Sequence, residues 1–182
     1  MMFSFLSLFS FGLAAVDPLY LKMAGQWVGQ GERVLSGTHR TVRLEARLDA
    51  LLREDQQRLN SRSWIRELAL EGPGSDPTEP KESVRLSWLQ PKDPNADALP
   101  RLYNVGFGTG DAVDRPSAQG TFDGYALEVR QEMGGNPSYL VISTTRFLSE
   151  NETDFVERAF HGTEELAVTR IRYRRVEALP SL

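Results

Sequence analysis

Residues 42–50 read V-R-L-E-A-R-L-D-A, with apolar and charged side chains in strict alternation. Successive side chains of a strand point to opposite faces. This order therefore sorts Val42, Leu44, Ala46 and Leu48 onto one face, and Arg43, Glu45, Arg47 and Asp49 onto the other. A helix would scatter the same residues around its axis. A strand with one dry and one wet face needs partners that share its dry side, which is the habit of antiparallel sheets.

Runs of the same style recur at 25–35, 59–70, 83–89, 102–109, 125–133, 139–148, 153–161 and 166–176. Val84, Leu86 and Trp88 share a face, as do Tyr103, Val105 and Phe107, and then Tyr125, Leu127, Val129 and Met133. Asp123-Gly124, between Phe122 and Tyr125, reads as a hairpin turn that needs positive φ. Gly134-Gly135-Asn136-Pro137 reads as another turn. Residues 72–80 and 90–100 carry three prolines each, which keeps them out of any ladder. Residues 17–25 offer one or two turns of helix. Strands of one style on both sides of every loop argue for a single domain, and open edges invite aggregation. The expectation is an all-β fold: one antiparallel up-and-down β-barrel of about 8–10 strands over residues 17–182, preceded by a short leader or helix.

Residues 3–16 are apolar and uncharged, and Asp17-Pro18 ends them. The run is shorter than the roughly 20 residues of a spanning helix. It suits the apolar region of a signal peptide over residues 1–16, with Ala14 and Ala15 as small residues near the cut. The expected location is periplasmic or secreted, with no membrane span in the mature chain. The alternative is an uncleaved apolar helix at a barrel mouth or on a membrane surface.

Composition removes other classes. The formal charge is −4, so nothing drives a nucleic-acid footprint. The absence of cysteine removes disulfides, thiolate metal sites and cysteine nucleophiles. There are two histidines and no G-x-S-x-G, so no nucleophile with a positioned base is visible and no catalytic residue is assigned. Gly106-Phe107-Gly108-Thr109-Gly110 lacks the lysine and following helix of a phosphate loop, and reads instead as a strand with room for a bulge or bend. Arg170, Arg172 and Arg174 share one face of the last strand, with Ile171 and Tyr173 on the other. Either the arginines face water or one of them enters the lumen to meet a carboxylate.

Gly25-Gln26-Trp27 resembles the G-x-W that opens the calycin barrels, the lipocalin and fatty-acid-binding proteins. The segment GQWVGQG at 25–31 is also similar to the opening of nitrobindin-like and other lipocalin-like bacterial proteins. The resemblance implies that Gly25 and Trp27 close one barrel end under an arginine of the last strand, Arg170 or Arg172 among them. Nitrobindin likeness implies His161 as a weak candidate haem ligand. The adjacent Arg172 and Tyr173 do not reproduce the carboxylate-binding Arg-x-Tyr of fatty-acid-binding proteins. His39 reads as a solvated turn residue. The functional expectation is an exported barrel that holds a small apolar or amphipathic ligand or lipid, with Trp88, Phe107, Tyr125, Val129 and Tyr139 as candidate lining and with no cofactor or metal. The competing expectation is an interaction or structural barrel filled by its own side chains. An enzyme on the same fold is a third.

Overall fold

A computed structural model describes residues 16–38, 40–53, 57–71, 81–96, 98–108 and 115–177. Residues 1–15, His39 and the proline-rich stretch 72–80 lie outside the described residues. Helix α1 (Pro18–Met23) is followed by ten strands: β1 (Gly25–Leu35), β2 (Arg40–Leu52), β3 (Leu59–Glu71), β4 (Lys81–Pro91), β5 (Arg101–Gly108), β6 (Ala118–Phe122), β7 (Ala126–Met133), β8 (Tyr139–Phe147), β9 (Glu152–His161) and β10 (Glu164–Glu177). Each strand pairs with its sequence neighbours, and β1 closes on β10 in one antiparallel up-and-down ring.

The alternation in β2 sets the pattern. Val42, Leu44 and Ala46 are buried inside while Arg43, Glu45 and Arg47 face water. At 123–124, Asp123 Oδ1 accepts hydrogen bonds from the amides of Tyr125 (2.8 Å) and Ala126 (2.7 Å), and Gly124 has φ +99°. These bonds hold the Asp123 carboxyl below its ordinary range.

One end of the barrel is sealed by α1. Asp17 caps it by accepting from the Leu19 amide, and Pro18 fills a first-turn position where no N–H is needed. Leu19, Tyr20 and Met23 then fill the floor with Ala50, Leu59, Leu89, Tyr103, Val105, Phe122 and Leu127. Gly25, at φ +129°, turns the chain from α1 into β1, a backbone state that a side chain would strain.

Trp27 lies beside this floor, 2% exposed, and its indole N–H donates to the Met23 carbonyl at 2.8 Å. An arginine of the last strand does cover it, but the residue is Arg175, with its guanidinium 4.5 Å from the ring centroid. Arg170, Arg172 and Arg174 are exposed on the outer wall. The reason is parity. Trp27 faces inward opposite Arg175, in phase with Gly29 opposite Tyr173, so only odd-numbered residues of β10 can reach it.

Parity also relocates β4. Val84, Leu86 and Trp88 share a face as expected, but it is the outer one. Leu89 reaches the floor cluster, so Ser83, Arg85 and Ser87 look into the lumen with it.

Candidate functional site

Above the apolar floor the lumen is polar. Ser61 on β3 and Ser87 on β4 face each other with hydroxyls 2.6 Å apart. Ser63, Ser143 and Thr145, in register with lumen-facing partners, are half-buried. Arg85 Nη1 meets Glu157 Oε2 at 2.9 Å. Strands β4 and β9 are five steps apart whichever way the ring is followed, so this ion pair crosses the lumen between opposite walls. Arg85 is half exposed, which brings water into the barrel as far as the pair. The Arg85 guanidinium also lies 5.7 Å from the Phe107 ring. Tyr173 is buried just beneath, edge-on to Phe155, and its phenol is pushed well above the ordinary value by burial and then by the charge of Glu157.

Nearer the end away from α1, Arg33 donates to Glu67 Oε1 at 2.7 Å and to Thr169 Oγ1 at 3.0 Å. At the same end, Tyr139 on β8 stacks on His161 on β9, ring centroids 4.6 Å apart and 27° from parallel.

Of the five candidate lining residues, three face the lumen at three different levels. Val129 belongs to the floor, Phe107 to the ion-pair level and Tyr139 to the rim. Trp88 does not line it. Its ring lies on the outer wall over Gly106, beneath the Arg58 guanidinium at 4.1 Å, which accounts for its burial. Tyr125 does not line it either, because it belongs to the β6–β7 turn at the sealed end and is 77% exposed.

Sequence reasoning missed Arg85, Glu157, Ser61, Ser87, Arg33 and Glu67. A signal for β4 was present: Ser83, Arg85 and Ser87 alternate as regularly as Val84, Leu86 and Trp88, and only the assumption that the apolar set points inward hid them. An outer-wall groove of about 860 Å³ runs over β1 between Arg47, Trp64 and Arg172. Two of its arginines are already engaged, Arg47 by Asp49 (3.2 Å) and Arg172 by Asp154 (2.9 Å). Among the described residues no group of three or more histidine and acidic side chains is placed to hold a metal ion.

No protein-family model matches the chain, and no curated protein matches it. Among solved structures, the S-type phycobiliprotein lyase CPES of Guillardia theta overlays with a TM-score of 0.56 at 10% identity, covering 92% of this chain and 94% of that one. A protein of unknown function from the DUF3598 family of Nostoc punctiforme overlays with a TM-score of 0.29 at 10% identity, over 89% of this chain and 99% of that one, too loosely to bear on this fold. Neither is described as a lipocalin, a fatty-acid-binding protein or a nitrobindin. What the chain shares with the lyase is its fold.

Proposed function

We propose that this chain is an exported binding protein whose barrel holds a small amphipathic molecule, apolar end toward the floor and anionic group toward Arg85. The observation that carries the reading is the Arg85–Glu157 pair spanning a wet lumen. A barrel filled by its own side chains would close that level with Leu, Ile or Val. Charges and serines there are costly unless something uses them. An entering carboxylate, sulfonate or phosphate would replace Glu157 as partner to the guanidinium, and Ser61, Ser63 and Ser87 offer hydroxyls nearby. Phe107 and Phe155 supply apolar wall. The fold shared with a phycobiliprotein lyase suits a barrel that receives a small molecule.

The test compares a fluorescent long-chain carboxylate with its uncharged methyl ester. The acid should bind more tightly. Arg85→Gln should weaken the acid about tenfold or more, as loss of a charged hydrogen bond does, and leave the ester unchanged. Glu157→Gln should strengthen the acid. Equal binding of acid and ester by the parent protein, unmoved by Arg85→Gln, would refute the reading.

Export belongs to the same proposal. Asp17 is buried, caps α1 and accepts from Tyr103, so the reading places the cut before it, near Ala15. Intact-mass measurement of the exported protein checks this; a folded exported chain that keeps Met1 would refute cleavage.

A further inference from the structure

Exposed apolar side chains gather at the sealed end. Leu21 on α1 is 62% exposed, Tyr125 in the β6–β7 turn 77%, and Val176 at the end of β10 61%; Leu99 and Leu148, in the β4–β5 and β8–β9 connections, are exposed as well. Contacts tie these positions into one neighbourhood. Leu99 sits against Gly124, next to Tyr125. The Tyr125 carbonyl accepts from the Phe147 amide, next to Leu148. The Lys22 ammonium lies 5.7 Å from the Phe147 ring, beside Leu21. Arg175 donates to the Lys22 carbonyl at 2.6 Å, which brings the neighbouring Val176 to the same place. Single exposed leucines need no explanation, but a gathered set marks a contact surface.

We infer that this end of the barrel rests on a lipid bilayer surface. Two observations select a bilayer over a protein. The uncharged apolar run joins the fold here, because Val16 at its end packs against the floor and Asp17 caps α1, so a membrane that takes up residues 3–15 lies against this end. The apolar side chains also project from a helix, a strand end and three connections around a rim. They are interleaved with Lys22, Lys92 and Arg146, and with Asp93, Asp123 and Glu150. Aromatic, aliphatic and basic side chains mixed in this way suit the headgroup boundary, where binding grows with the apolar area inserted. The acidic residues offset the basic ones, so insertion of apolar groups rather than attraction to anionic lipid dominates. Lipid contact here leaves the other end of the barrel facing away from the membrane. The inference concerns the folded domain: the exposed apolar rim carries it where the preceding residues are removed, and the run adds to it where they are kept. It is independent of the lumen reading.

A chain without cysteine makes the test direct. Single substitutions Tyr125→Cys and Leu148→Cys at the sealed end, and Met133→Cys and Leu166→Cys at the other, each carry an environment-sensitive fluorophore on the full chain. With vesicles of equal parts phosphatidylcholine and phosphatidylglycerol, the first two should shift to the blue and the second two should not. Leu99→Ser with Leu148→Ser should weaken vesicle partitioning about tenfold. Three results would overturn the inference. Labels at both ends could shift alike. None could shift although the protein sediments with vesicles, which leaves the apolar run as the sole anchor. The sealed-end labels could shift with rising protein concentration in the absence of lipid, which assigns the surface to a second copy.

Discussion

Trp27 was legible as a barrel-end residue from three letters of sequence, yet its partner was not read correctly. The arginines at 170, 172 and 174 drew attention because they form a stripe, and a stripe on a barrel strand faces water. The inward arginine is the one out of step with the stripe, Arg175, in phase with Ile171 and Tyr173. Its guanidinium is pushed below its ordinary basicity by desolvation, as a group tucked over an indole should be. Trp27→Ala should cost about 3–5 kcal/mol in urea melts, and Arg175→Ala about 0.5–2 kcal/mol. Only Arg175 should couple to Trp27 in a double-mutant cycle; coupling to Arg172 or Arg174 instead would contradict the register.

Three phenols behave alike at this scale. Burial raises Tyr20, Tyr103 and Tyr173 above the ordinary 10.0, with the charge of Asp17 adding to the first, its hydrogen bond and charge to the second, and Glu157 to the third. Their protons leave the unfolded chain first. Stability is therefore full below about pH 10 and is lost as pH rises past it. Urea midpoints should fall steeply there, and less steeply in Tyr173→Phe. A midpoint flat through the strongly alkaline range would show that these phenols ionise as freely folded as unfolded.

At the level of the element, β2 was read correctly from the order of its residues alone because its two faces differ in charge. Leu44→Ala should cost about 2–5 kcal/mol and Glu45→Ala no more than about 0.5, both read from thermal or urea unfolding. Strand β4 defeated the same logic. Both of its faces are partly polar or partly apolar, and period 2 reports the alternation without saying which side is in. The outer tryptophan is sealed by two devices distant in sequence: Arg58 above it and, below it, the missing side chain of Gly106. A Cβ at Gly106 would lie 2.2 Å from the Trp88 indole nitrogen. Gly106→Ala should therefore destabilise by about 1–3 kcal/mol, and Trp88→Ala should relieve the penalty in the double variant. An additive double variant would place the ring elsewhere. Helix α1 is latched by a buried ion pair, Asp17 Oδ2 with Arg101 Nη1 at 3.3 Å, and by the Tyr103 hydroxyl donating to Asp17 at 2.8 Å. Arg101→Met should cost about 3–5 kcal/mol, because it strands the Asp17 charge in the floor. The sequence showed α1 as a short turn of helix; its partner at position 101 belongs to a strand that no local pattern connects to it.

On the scale of the whole molecule, strand count, closure and antiparallel order all follow from repeated alternation broken by turn residues. The character of the lumen does not. Whether a barrel is dry or wet inside depends on which residues meet across it, and Arg85 and Glu157 are separated by half the ring. The closure itself has a temporal consequence. Arg33 on β1 hydrogen-bonds Thr169 on β10, 136 positions later in the chain. During synthesis, at roughly 5–20 residues per second, the first strand must therefore wait several seconds for its second neighbour to be made. Until then β1 is an open edge and Trp27 lacks its cover. Such a long-range pairing places the barrel among slow folders, and the emerging chain remains a string of hairpins without a finished wall until β10 has been added.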